Sequence, residues 1–329
     1  ESLVAVDIND GELLWHFQMV HHGVWDYDLP AAPTLIDINV DGRSIKAVAQ
    51  ISKQGFTYVF DRVSGEPVWP IEERAVPQSA VPGEKLSATQ PFPSRPAAFE
   101  PQGISDETLV DFTPELREEA LRNIEPFDYG PLFTPPSLRG AIQFPGWGGG
   151  GEWHGAAFDP ETSLFYVPSA SGPIVVQLTE ADASESNLRY RRGGARSVDG
   201  PQGLPLTKPP YGRITAINMN TGEHEWVVPH GEGIRQEIID KGILDPGPVG
   251  STHRVGPLLT QTLLLFAQID GERNLLRAFD KMTGSVIHEH ELPLAPQGTP
   301  MTYMVDGKQY ITIAVGGRID ARLVTLSLP

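Results

Sequence analysis

The sequence predicts an all-β protein, part of a β-propeller assembled from repeated antiparallel sheets, and two observations carry that prediction. The first is a recurrent pattern: a short apolar stretch runs into Asp or Asn, a Gly follows, and then a Trp. It occurs as Ala5-Val6-Asp7 with Gly11 and Trp15, as Val59-Phe60-Asp61 with Gly65 and Trp69, and as Ala216-Ile217-Asn218 with Gly222 and Trp226. A weaker copy, Ala278-Phe279-Asp280 with Gly284, has His288 in place of the Trp, and Ala157-Phe158-Asp159 with Ser163 is more degenerate still. The second observation is the 34 glycines and 31 prolines, which favour many turns and short strands over long helices.

Taken in order, each copy predicts an apolar strand, an Asx turn, a chain reversal at Gly and a second strand ending in an indole. Asp and Asn bond their own turn backbone, and Gly supplies the positive φ that the reversal needs. Trp15, Trp69 and Trp226 are expected to pack between neighbouring sheets and dock them, a structural role. Sheets repeated radially in this way make a propeller. Long insertions are expected at about 76–140 and 178–213. The first part of the former, 76–112, reads as a Pro-rich, strand-poor surface loop. Thr113 to Leu121 reads as a short helix with Thr113 as N-cap and Pro114 in its first turn. The latter insertion holds Arg189, Arg191, Arg192 and Arg196 among Gly and Pro. It reads as a mobile surface loop, with contact to substrate as the alternative.

Composition removes several function classes. A net charge of −17 argues against nucleic acid or an anionic membrane as partner. The absence of cysteine excludes disulfides, thiolate catalysis and Cys-ligated metals. No apolar run reaches about 18 residues, so nothing reads as a membrane-spanning helix. The chain opens at Glu1 within a strand-like pattern, and it reads as the C-terminal part of a longer protein.

One stretch concentrates reactive side chains. His21-His22-Gly23-Val24-Trp25-Asp26-Tyr27-Asp28-Leu29-Pro30 reads as a loop or strand end, and Lys53 follows Asp26 by 27 residues. Asp26 and Lys53 can serve as base and electrophilic cation, or form an ordinary ion pair. His21 and His22 can bind substrate or move protons, because imidazole titrates near neutrality, or they can be structural. A second stretch, Trp147 to His154, carries Gly148 to Gly151, whose missing side chains let backbone approach a flat ligand. It is not a P-loop, since no GK[ST] follows, and no GxGxxG fingerprint for a nicotinamide or flavin cofactor is found.

These stretches also carry a resemblance. HHGVWDYDLPAAPTLIDI, SKQGFTYVFDRVSGEPVWP, VPQSAVPGEKLSATQPFP, LFTPPSLRGAIQFPGWGGGGEWHGAAFDP and QGTPMTYMVDGKQYITIAVGG are similar to segments of the quinoprotein dehydrogenases that use pyrroloquinoline quinone (PQQ). The membrane-bound glucose dehydrogenase branch is the one most resembled, and the likeness runs from end to end. It implies an eight-bladed propeller of which this chain is the C-terminal portion. It implies Asp26 as catalytic base, Lys53 at the quinone oxygens, and Glu152 and Trp153 beside the cofactor. Asp26, and at longer odds Asp28, would be metal ligands for Ca²⁺ or Mg²⁺, with a lanthanide the less favoured ion. His21, His22, Trp25 and Trp147 would border the substrate pocket, with Trp25 as its floor.

The implied reaction is oxidation of a sugar, polyol or cyclic alcohol in the periplasm, with electrons passed to ubiquinone or a soluble carrier. Any membrane anchor would lie upstream. The rival reading is a non-enzymatic propeller scaffold of the outer-membrane assembly type, which keeps the docking tryptophans but needs no WD…K pair. The sequence departs from the resembled pattern at Trp147, in the longer glycine run and at His154. It departs again in 250–267 and at Gly316-Gly317-Arg318-Ile319-Asp320, which puts the substrate in doubt.

Overall fold

The asparagine and aspartate turns of the repeat are built alike throughout the computed structural model, which describes residues 1–170 and 172–327. In each copy the amide four residues after the Asp or Asn donates to that residue's carbonyl, at 2.7–2.9 Å: Gly11 to Asp7, Gly65 to Asp61, Ser163 to Asp159, Gly222 to Asn218 and Gly284 to Asp280. The side-chain oxygen of the same residue takes the amide two residues on, as with Asn9, Val63, Glu161, Asn220 and Met282. The reversing glycines have φ of 70–77°, and Ser163 holds 59° without glycine's freedom. The degenerate copy is therefore the same turn, with a side chain forced into the left-handed region.

The chain divides into two compact units. The first comprises Glu1–Pro30, Gln50–Glu152 and Ser171–Pro209. It contains the hairpin Ser2–Val6 with Leu13–Gln18 and the strand Thr57–Asp61. Trp15 donates its indole N–H to the Arg62 carbonyl at 3.1 Å, in the next repeat's turn. A Cβ on Gly65 would lie 2.6 Å from the Trp15 ring, so this glycine serves both the turn and the indole. A three-stranded sheet runs Tyr190–Ser197, Ile174–Glu180, Ala141–Gln143. Its Ile142 and Val175 share a core with Leu109, Val110, Phe144 and Leu206. Helix Pro114–Ile124 adds Ala120 and Ile124 to that core, and Thr113 caps it by accepting the Leu116 amide.

Two expectations need correction in this unit. Thr89–Pro93, inside the segment read as strand-poor, pairs antiparallel with Ile71–Ala75. Tyr190–Ser197, read as a mobile loop, pairs with Ile174–Glu180. Thr89–Pro93 is interrupted by two prolines and Tyr190–Ser197 is an exposed edge strand rich in arginine, so neither shows an apolar alternation. The arginines lie on aromatic rings: Arg192 over Trp147 at 4.8 Å, Arg189 over Tyr190 and Arg196 over Phe127.

The second unit comprises Ala31–Ala49, Trp153–Ala170 and Pro210–Pro329. Thr34–Val40 pairs with the first part of Arg43–Ile51. One four-stranded sheet runs Glu223–Pro229, Gly212–Asn218, Leu164–Ala170, Ala157–Asp159. A second runs Pro257–Leu259, Leu263–Asp270, Arg273–Asp280, Val286–Glu291, and a three-stranded sheet runs Pro296–Val305, Lys308–Val315, Arg322–Ser327. Leu264 and Phe266 pack with Tyr166 and Ile214 of the first sheet, while Leu265 and Ala267 pack with Ile313 and Val315 of the third. Burial on both faces explains why Leu263 to Ala267 is apolar without alternation. Trp226 repeats the docking geometry: its indole N–H donates to the Lys281 carbonyl at 3.3 Å, and a Cβ on Gly284 would lie 2.8 Å from its ring.

The turns make a paired prediction. Ser163→Gly relieves a left-handed residue and should raise stability by up to about 1 kcal/mol, whereas Gly284→Ala should lower it by more than about 1 kcal/mol. Urea unfolding of both variants measures the two signs.

Candidate active site

The segment Trp25 to Asp28 splits its side chains between two environments. Trp25 and Tyr27 are buried, at 0% and 1% exposure, while Asp26 and Asp28 point the other way. Trp25 donates its indole N–H to the Thr134 carbonyl at 2.9 Å, and Tyr27 donates its hydroxyl to the Pro145 carbonyl at 2.9 Å. Both rings meet Phe133 edge-on, at centroid distances of 5.1 and 5.8 Å. Trp25, expected as a pocket floor, is thus a buried anchor that holds the loop from beneath. Asp26 has φ of 60° and His22 has φ of 49°, both unusual for residues with side chains.

Lys53 completes the cluster. It sits in the turn Ser52 to Phe56, where the Gly55 amide donates to the Ser52 carbonyl and the Phe56 amide to Ser52 Oγ. Its Nζ lies 3.3 Å from Asp26 Oδ2 and 2.5 Å from Asp28 Oδ1. The lysine side chain is 9% exposed, against 54% and 48% for the two carboxylates. Burial works against its charge, but the hydrogen bond that it donates to Asp28 and the charges of both aspartates outweigh it and hold its pKa above the ordinary lysine value. A buried cation therefore faces two accessible carboxylates.

The glycine run packs against the Lys53 turn. The Gly150 and Gly151 amides donate to the Lys53 and Ser52 carbonyls at 2.9 and 3.1 Å. A Cβ on Gly149, whose φ is 64°, would overlap the Lys53 side chain, and one on Gly150 would lie 2.7 Å from Glu100. These glycines let the backbone close over the lysine and fix its turn.

The remaining expected residues lie in other contacts. His21 Nε2 pairs with Glu73 and His22 Nε2 with Glu84, each at 2.9 Å. Trp147 lies under the Arg192 guanidinium. Glu152 is buried, while Trp153 is 58% exposed and meets the His154 ring edge-on at 5.9 Å. Gln90, Glu73, Glu84 and Thr134 hold the loop; Glu84, Gln90 and Thr134 fall in the resembling segments, but their contact with the loop was not legible because they reach it from distant positions.

Asp26 and Asp28 offer hard oxygen donors suited to a divalent cation. Two carboxylates make only part of such a shell, and among the described residues no group of three acidic or histidine side chains converges on a metal position. Lys53 suits an ortho-quinone or another anionic ligand, since it is a fixed, desolvated cation.

Buried histidines set the pH response of the second unit. Burial pushes His154 down to about 4 and His230 down to about 3, with nearby Arg254 and Arg277 respectively adding to the effect. Below about pH 6.5 the unfolded chain takes up protons that the folded one refuses, so stability falls as the pH drops, while above it both states are neutral. Unfolding free energies between pH 4.5 and 8 should show this loss, and His154→Gln should flatten it.

Comparison with known proteins agrees with this architecture. Residues 1–311 match the family described as "PQQ: Glucose/ethanol/alcohol dehydrogenase, beta-propeller domain". The chain is 32% identical to a quinoprotein glucose dehydrogenase of Escherichia coli, over 96% of this chain and 42% of that protein. It is 31% identical to a glycerol dehydrogenase large subunit of Gluconobacter oxydans, over 100% of this chain and 49% of that protein. A quinohemoprotein alcohol dehydrogenase from Comamonas testosteroni shares the fold, with a TM-score of 0.58 at 22% identity, over 96% of this chain and 38% of that one. The chain thus spans less than half the length of these relatives. Its turns, its docking indoles and this end-to-end match give one answer: the chain belongs to the PQQ-dependent glucose/ethanol/alcohol dehydrogenase family, as β-propeller sequence of that family.

Proposed function

We propose that the protein of which this chain is part is a PQQ-dependent dehydrogenase that oxidises a CH–OH group of a sugar, polyol or cyclic alcohol. The observation that carries this reading is the juxtaposition of Lys53, a buried cation, with Asp26, a left-handed and accessible carboxylate. A surface ion pair needs neither the burial nor the backbone strain.

Asp26 is the base. Its side chain is reachable from solvent and accepts the proton given up by the substrate hydroxyl, while Lys53 holds its Oδ2 in place. Lys53 would also bind the cofactor, which is anionic and becomes more so on reduction. When bound, PQQ supplies the two-electron acceptor that no side chain can provide, and a divalent metal, Ca²⁺ or Mg²⁺, supplies further positive charge. Asp26 and Asp28 would contribute oxygens to that metal, and Glu152 and Trp153 would border the cofactor. The glycines at 149–151 pack against the Lys53 stem and its turn, which holds the ammonium beside the two carboxylates.

The names of the relatives support glucose-like and glycerol-like substrates. Ubiquinone or a soluble carrier as electron acceptor, and the periplasm as location, follow from the same reading. A chain without cysteine is suited to an oxidising compartment. Among the described residues no helix is long and apolar enough to cross a membrane.

The test is dye reduction by the full-length protein supplied with PQQ and Ca²⁺ over a panel of sugars, polyols and cyclic alcohols. Asp26→Asn should lower kcat by roughly 10²- to 10⁴-fold while PQQ binding is retained. Lys53→Met should lower both turnover and PQQ affinity, by about 10²-fold in kcat. Wild-type turnover in Asp26→Asn would remove Asp26 from the mechanism.

A further inference from the structure

The segment Ile71–Ala75 with Thr89–Pro93 touches the candidate loop at a point the proposed chemistry does not use. Gln90 is fully buried, and its side chain makes two hydrogen bonds to one residue's backbone. The His21 amide donates to Gln90 Oε1 at 2.8 Å, and Gln90 Nε2 donates to the His21 carbonyl at 2.7 Å. One side chain therefore satisfies both backbone groups, as a neighbouring strand would. Beside this grip, His21 pairs with Glu73 of the same segment, and His22 with Glu84 of its connecting loop.

The grip lies immediately before strained backbone. His22 and Asp26 are both left-handed, a conformation that residues with side chains hold only where their surroundings over-determine it. On the far side, Trp25 and Tyr27 are held by the carbonyls of Thr134 and Pro145. The gripping segment is itself set on the same aromatic cluster: Phe92 meets Phe133 edge-on at 5.6 Å, and the Pro91 carbonyl accepts the Tyr58 hydroxyl at 3.0 Å. Asp26 is thus suspended between two anchors that share one rigid base.

We infer that Gln90, assisted by Glu73 and Glu84, is a positioning residue that holds the His21–His22 backbone and thereby keeps Asp26 in the conformation that presents its carboxylate. This rests on the reading of Asp26 as base. Burial of Gln90 alone would call for some partner, but a partner on both sides of one residue fixes the direction in which the loop leaves the strand Leu13–Gln18. The geometry assigns the first insertion a task, as a clamp on the catalytic loop.

The test uses the full-length protein with PQQ and Ca²⁺ and two substitutions. Gln90→Met keeps the length of the side chain and removes both hydrogen bonds, while Gln90→Glu keeps the acceptor for the His21 amide. Hydrogen–deuterium exchange of the peptide covering 19–28 should speed up about tenfold or more in Gln90→Met, with an intermediate rise in Gln90→Glu and no change in the sheets of the second unit. In steady-state kinetics kcat should fall about tenfold or more with KM within about twofold, again with Gln90→Glu in between. Should Gln90→Met fail to fold, the double substitution Glu73→Gln and Glu84→Gln is expected to give the same pattern more weakly. Exchange at the wild-type rate, or faster exchange with unchanged kcat, overturns the inference. Failure of the underlying reading looks different, because the wild-type protein itself would then show no PQQ-dependent turnover, whatever the exchange rates.

Discussion

An indole N–H donated to a backbone carbonyl in the next repeat's turn is the interaction on which the repeated architecture depends. Trp15 to Arg62 and Trp226 to Lys281 are the same bond in two places. It requires an Asx turn that presents the carbonyl and a glycine that leaves room for the ring. Gly65 and Gly284 meet both needs at once, since their φ is positive and a Cβ would collide with the indole. Turn and docking surface are therefore a single device, and a substitution at the glycine disturbs both.

The same economy of backbone and side chain builds the candidate site. Trp25 and Tyr27 turn into the core while Asp26 and Asp28 turn outward, so anchors and carboxylates share one segment and need no separate scaffolds. Closure of the glycine run over Lys53 adds the cation from beneath. A lysine that is nearly buried keeps its charge because two carboxylates stand beside it. The strained φ of Asp26 opposes folding, so holding its carboxylate beside the lysine costs stability.

Buried charge elsewhere follows a structural logic. Arg277 is bound by Asp270 and Glu289, each at 2.6 Å, and Asp270 also accepts the amides of Glu232 and Gly233. Lys281 pairs with Asp159 at 2.6 Å, in the turn that lacks glycine. These networks tie turns to strands within the second unit. Breaking one partner would leave the other buried and uncompensated. Apart from Asp159, which lies in a repeat turn, their residues are scattered in sequence and carried no motif.

The sequence by itself determined the repeat, the Asx turns, the docking roles of Trp15 and Trp226, the capped helix beginning at Thr113 and the pairing of Asp26 with Lys53 as neighbours of interest. Each is written in local chemistry: a turn residue, a cap, a glycine at fixed spacing, or a motif long enough to be distinctive. Tertiary structure alone decided what those residues touch. Gln90 reaches His21 across 69 residues and Trp25 reaches Thr134 across 109, so no window of sequence contains both partners. The strand Tyr190–Ser197 and the close approach of Gly149 to Lys53 were likewise settled by packing. An exposed edge strand needs no apolar alternation, and a glycine records only that something comes near, not what it is.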